Sequence, residues 1–222
     1  MALTQVLTGG IKADAVDNTI LKLDDDFAFT GTISGTPTTR KLLRTITISS
    51  NTTAVEFIHG ANGVVLDTTY SRHEITIDSA VATSGGAQLN LYTSSDSGSN
   101  YHGDSTYNST YHRHYSNGSS HGNDNAYVND YALNADQGTA TAANKGGMTG
   151  TIIVDNLGVA HRTVFNGQFF SFGHGGYYIH TNSIGAYESV TTVINGIKIK
   201  FRSGDIASGI FKIYGVLWWL IE

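Results

Sequence analysis

Four histidines, His102, His112, His114 and His121, stand in one polar stretch together with Asp104 and Asp124. Imidazole is the side chain that titrates nearest neutrality and the commonest metal ligand. His112 and His114 are two residues apart, so on an extended strand both rings leave the same face, and two imidazoles side by side can ligate a metal. His161, His174 and His180 could join them from other strands. No His-Glu-x-x-His or comparable zinc spacing occurs, and ordinary loop histidines account for the same residues. The chain has no Cys, which removes thiolate sites and disulfides. No cofactor is expected, and His112 and His114 are the one pair that could hold a metal.

Hydrolysis of a glycan would need two carboxylates facing each other about 5–9.5 Å apart. Asp104, Asp124, Asp130 and Asp136 are the candidates, all in a loop-like segment. No nucleophile elbow and no phosphate loop is present, so the chain is expected to be no enzyme. Asp96, Asp104, Asp124 and Asp130 could offer oxygen ligands to Ca²⁺, although Asx turns explain them as well. Exposed tyrosine rings could lie against sugar faces. Tyr101, Tyr107, Tyr111, Tyr115, Tyr127 and Tyr131, with His112 and His114, are the residues expected to contact a receptor or glycan. Packing of the same rings against a sheet or a neighbouring subunit is the alternative.

These residues need a scaffold, and the composition says which kind. Charged residues make up 14 % of the 222, against about 25 % in an average globular protein. Glycine numbers 26, well above the usual share of about 7 %. Such a chain reads as many short strands joined by tight turns. The formal net charge is −5 and no Lys/Arg run occurs, so nucleic acid is an unsuitable partner. No apolar stretch approaches the ~20 residues that span a bilayer, and no signal peptide is visible at Met1-Ala2-Leu3-Thr4.

Period-2 alternation appears at 43–49, 54–59, 74–78 and 88–93, and again at 151–155, 161–165, 168–172, 176–180, 193–201 and 204–215. Asn51, Gly60, Asn62-Gly63 and Gly85-Gly86 punctuate the first group. Strands of this length and spacing predict a sandwich or barrel of antiparallel sheets. Ile197, Ile199 and Phe201 should face a core while Lys198, Lys200 and Arg202 face water.

Two regions stand apart. Residues 1–36, ending at the single proline, Pro37, carry Ile11, Val16, Ile20, Leu23, Phe27 and Phe29, in a pattern compatible with one or two helical turns followed by a strand. This is read as an N-terminal arm that attaches or trimerises the protein, or packs on its own domain. Residues 94–148 lose their aliphatic side chains and alternate Tyr with small polar groups, the composition of adaptable recognition loops. The apolar tail with Trp218 and Trp219 should be buried in the core or at an oligomer contact.

Several segments together resemble the jelly-roll domain of phage tail-fibre and virion structural proteins, of the kind found in marine and cyanobacterial phages. The segment from Leu7 through Gly35 looks like the leader of such proteins. Gln88 to Tyr101 looks like the strand and turn closing the first half of the jelly roll. Ile197 to Gly215 looks like its last two strands, with a Ser203-Gly204-Asp205 turn between them and Tyr214-Gly215 at the end. The resemblance implies an antiparallel jelly-roll β-sandwich over 37–222 with a long polar insertion at about 94–148. It also implies a virion part at the tail or capsid surface, a homotrimer bound to other virion proteins. A tail fibre contacting host surface glycan or protein is the leading expectation. A capsid decoration protein is the alternative, and a glycan-cleaving tail protein a weaker one.

Overall fold

A computed structural model describes residues 40–103, 105–134, 147–173 and 176–217, with the backbone alone for 123–128. The N-terminal arm with Ile11, Val16, Ile20, Leu23, Phe27 and Phe29 lies outside the described residues, as do Trp218 and Trp219. Among the described residues there is no helix, and there are twelve strands. The first four are β1 (Arg40–Ile48), β2 (Val55–Ile58), β3 (Arg72–Ala82) and β4 (Leu89–Ser94). Then come β5 (Tyr107–Tyr115), β6 (Ser120–Val128), β7 (Tyr131–Ala132) and β8 (Met148–Asp155). The chain continues through β9 (Thr163–Phe172), β10 (Tyr178–Tyr187), β11 (Gly196–Phe201) and β12 (Ile206–Val216).

All pairings are antiparallel and build two sheets. The larger has the order β1-β12-β3-β8-β9-β10-β5-β6 and the smaller β2-β11-β4-β7. Setting β5, β6, β9 and β10 aside leaves eight strands whose first, eighth, third and sixth form one sheet. The second, seventh, fourth and fifth form the other. That is a jelly roll, two Greek keys folded into a double sheet. The fold is therefore an antiparallel jelly-roll β-sandwich interrupted by two hairpins. β5–β6 enters between β4 and β7, and β9–β10 between β8 and β11. The hairpins pair with each other through β10 and β5, and β9 pairs with β8, so together they lengthen the larger sheet by four strands.

The alternation seen in the sequence explains the body. Ile75, Ile77, Ile152, Val154, Phe211 and Ile213 point inward from the larger sheet. Val55, Phe57, Leu89, Leu91, Ile197, Ile199 and Phe201 answer from the smaller, and all belong to one core. Lys198 and Lys200 lie on the outer face, as expected from their spacing. Asn62 and Gly63 take φ of 51° and 80°, the left-handed pair that an Asn-Gly turn supplies.

Two strand signals, 161–165 and 168–172, merge into the single strand β9 across Asn166-Gly167. A Cβ at Gly167 would stand 2.5 Å from the Phe169 ring and 2.9 Å from Ser183 Oγ. This glycine is therefore not a turn residue: it makes room for a ring lying along its own strand. Tyr131 does the same across strands, since a Cβ at Gly185 of β10 would meet its ring at 2.8 Å. Strand glycines covered by an aromatic ring keep the sheet continuous where the backbone offers no side chain.

Candidate functional site

The inserted hairpins are written in a different alphabet from the body. Along β5 the inward positions are Tyr107, Ser109, Tyr111 and Arg113, all buried. Along β10 they include Ile179, Thr181 and Ser183. Rings and hydroxyls replace the aliphatic core, and period-2 burial survives without period-2 hydrophobicity.

Three of the tyrosines expected at a contact surface are braces instead. Tyr107 and Tyr131 are fully buried and Tyr111 is 4 % exposed. The Tyr107 hydroxyl accepts from the Thr93 backbone N–H at 2.7 Å and shares a hydrogen with Thr93 Oγ1 at 2.9 Å. The Tyr131 hydroxyl meets Ser183 Oγ at 2.7 Å. Each bond runs between the smaller sheet and the extension, so the two hydroxyls tie the inserted hairpins to the body. Around them Tyr131 stacks on Phe165 at 4.9 Å, and Tyr107 and His102 both lie against Tyr187, at 5.5 and 4.5 Å. Burial pushes the Tyr107 and Tyr131 phenols well above their ordinary pKa and holds the His102 imidazole below its own.

The outer face of the extension is where exposed chemistry gathers. Register places Phe170, His180 and His114 in one row across β9, β10 and β5, and Gln168, Asn182 and His112 in the next. His112 and His114 share a face, with ring centroids 5.4 Å apart, and His114 stacks on His180 at 6.4 Å. Phe170 and Tyr178, more than half exposed, stack at 5.7 Å. Around the β5–β6 turn and the start of β10, Tyr115, Asn117, Ser119, His121 and Tyr177 line a cleft of about 180 Å³. The sequence reading names Tyr115, His112 and His114 for this region but omits Phe170, Tyr177 and Tyr178. The adjacent pair Tyr177-Tyr178 carried the signal, because neighbours on a strand face opposite sides and one ring had to point outward.

Metal and acid chemistry have few donors here. Among the described residues no three His, Asp or Glu side chains form a group able to hold a metal. Among the described residues His112 and His114 supply two imidazoles and no third donor completes a metal-holding group with them. His161 is exposed in the β8–β9 connection, and His174 lies outside the described residues. So do Asp104 and Asp136, together with the side chains of Asp124 and Tyr127. Asp130 Oδ2 accepts from the Tyr92 hydroxyl at 3.1 Å. Asp96 accepts from Ser94 Oγ, Asn100 N and Asn100 Nδ2, each at 2.8 Å. The Asn100 bonds chiefly, then Ser94, lower its pKa to about 2. This is a loop-stabilising carboxylate of the Asx-turn kind.

The other expected contact ring, Tyr101, lies near the smaller sheet, with Lys198 Nζ 3.5 Å from its centroid. Tyr92 lies between Lys198 and Lys200, at 5.6 and 5.3 Å, and burial is the main reason its phenol is pushed up to about 12. These cation–π contacts occupy the rings with the chain's own lysines.

Arg40–Glu74, Lys212–Asp78 and Arg72–Asp155 pair on the body half of the larger sheet, and Arg162–Glu188 pairs just outside β9 and β10; exposed pairs contribute about 0–1 kcal/mol each. The paired rows of the extension present imidazole, amide and aromatic groups. Comparison with protein-family models, with curated proteins and with solved structures finds no match for this chain.

Proposed function

We propose that the chain is a surface component of a phage particle, a trimeric tail-fibre or receptor-binding protein whose jelly-roll body holds the inserted hairpins toward the host. One observation carries the reading. Two hairpins, inserted at separate points of a complete jelly roll, unite into an extension whose outer face is rich in exposed rings, imidazoles and amides. The jelly roll needs neither hairpin to close its strand order. Such surfaces of rigid amphipathic rings and adaptable polar groups suit recognition. A weak site repeated on three subunits gains avidity on the order of 10²–10⁴-fold. The resemblance of Ile197–Gly215 to the final strands of virion jelly rolls supports the same reading, since this segment forms β11, the turn and β12.

Electron microscopy of particles labelled with an antibody to the chain tests it. Label on tail fibres is the expected result. Label confined to the head shell would replace the reading with capsid decoration, and absence from particles would end it.

A further inference from the structure

We propose that the cleft at the free end of the extension binds a single ring of a neutral saccharide; this rests on the host-contact reading above and names its ligand class. The cleft of about 180 Å³ corresponds to roughly six water volumes at about 30 Å³ each. That is smaller than the ~300–1,000 Å³ of drug-sized sites and suits one small ring with the rest of a ligand outside. Its walls are aromatic. His121 and Tyr177 each meet the Tyr115 ring edge-on, both at 87°, with centroids 5.9 and 6.4 Å away. Two rings set at right angles to a third form a corner, with apolar faces for the C–H surface of a pyranose.

The polar groups are available. Ser119 N and Oγ both donate to Asn117 Oδ1, at 3.0 and 2.6 Å, which fixes the amide and leaves its N–H donors toward solvent. Among the described residues nothing takes the hydroxyls of Tyr115 and Tyr177 or the His121 nitrogens. Among the described residues no Lys, Arg, Asp or Glu lines the cleft. Arg113, whose guanidinium stands 5.8 Å from the Tyr115 ring, is buried and lies outside the lining. An anion or cation would find no carboxylate, ammonium or guanidinium among the described walls, whereas sugar hydroxyls can both donate and accept.

The corner is also held before any ligand arrives. Tyr115 N bonds Ser119 O and Gly118 N bonds Tyr115 O, at 2.9 and 3.0 Å, with Gly118 at φ 86°. Ser116 N bonds Tyr178 O, and Tyr178 N bonds Ser116 Oγ, tying this turn to β10. Gly173 N bonds Tyr177 O at 2.8 Å, fixing the other wall.

The test is saturation-transfer NMR on the full chain with the methyl glycosides of glucose, galactose, mannose and N-acetylglucosamine, and with methyl glucuronide as the charged comparison. We expect transfer to ring C–H protons of at least one neutral glycoside. Binding should weaken about tenfold in Tyr177→Ala and persist in Tyr177→Phe and in Leu42→Ala, an exposed residue of β1 in the body. Tyr177 is 42 % exposed, so its truncation leaves the fold intact even if Tyr115→Ala does not fold. Transfer to none of the four, equal transfer in Tyr177→Ala, or preference for the glucuronide would overturn the proposal. Particle labelling is read independently: tail-fibre label with a saccharide-blind cleft would discard this inference and leave the host-contact reading in place.

Discussion

Tyr131 makes two separate contacts, and each can be tested. Its hydroxyl bonds Ser183 in a buried site, so Tyr131→Phe should lower unfolding free energy by about 0.5–1.5 kcal/mol in urea titration. Its ring covers Gly185, where an added Cβ would also meet the Asn108 carbonyl oxygen at 2.5 Å, so Gly185→Ala should cost more, about 1–3 kcal/mol, because the methyl must displace a packed ring and a neighbouring backbone. Equal stability of Gly185→Ala and the parent would mean that both give way freely. His73 governs a third outcome. It is 1 % exposed, its Nε2–H donates to Val65 O at 2.8 Å, and burial lowers its pKa. The unfolded chain therefore takes up the proton first, at about pH 6.5. Stability is complete above that value and declines as pH falls toward the folded pKa. His102 is shifted the same way by its own burial. Urea midpoints at pH 7.5 and 5.5 should differ, and differ less in His73→Gln; a midpoint indifferent to pH would refute the assignment.

At the scale of elements, the body and the extension differ in what holds them. β3 and β8 lie inside the larger sheet over an aliphatic core, while β6 closes the outer end and pairs with β5 alone. Amide hydrogen exchange should therefore grow faster in the order β8, β10, β5, β6, and uniform protection across the four would contradict this layering. The same contrast explains what could be read from the sequence. β3, β4, β8, β11 and β12 announce themselves because their inward positions are Ile, Leu, Val or Phe. β5 hides its inward face in Tyr107, Ser109 and Tyr111, so the segment reads as loop although it is half of a hairpin. β9 reads as two strands because Gly167 imitates a turn while serving as space for Phe169. The β9–β10 hairpin leaves no trace as an insertion: its signals resemble those of any body strand, and strand order is a tertiary property.

For the whole molecule, the antiparallel all-β class is legible from spacing and turn chemistry, the jelly-roll order only through the resemblance, and the residues of the site only partly. Types that recognise ligands, Tyr above all, also brace buried polar cores. Position within the 94–148 stretch does not separate Tyr115, which lines the cleft, from Tyr107, which anchors β5 to β4. Pairing across strands decides it, and brings His180 and Phe170 beside His114 from far along the chain. The proposed assembly makes its own prediction: sedimentation of the purified chain at micromolar concentration should give a mass of three chains, and a monomer there would remove the trimer from the proposal.

The mutual pairing of the two hairpins also bears on inheritance. β5 rests on β10, and β10 on β9, so the segments on either side of β7 and β8 are halves of one unit. A crossover between related genes that fell between residues 130 and 163 would hand a descendant one half from each parent, with mismatched registers and rings meeting the wrong glycines. Exchange that carried 105–187 as a block would transplant the extension whole. New specificities in such a scaffold should therefore travel as that block, and chimeras built within it should fold less well than chimeras built at its borders.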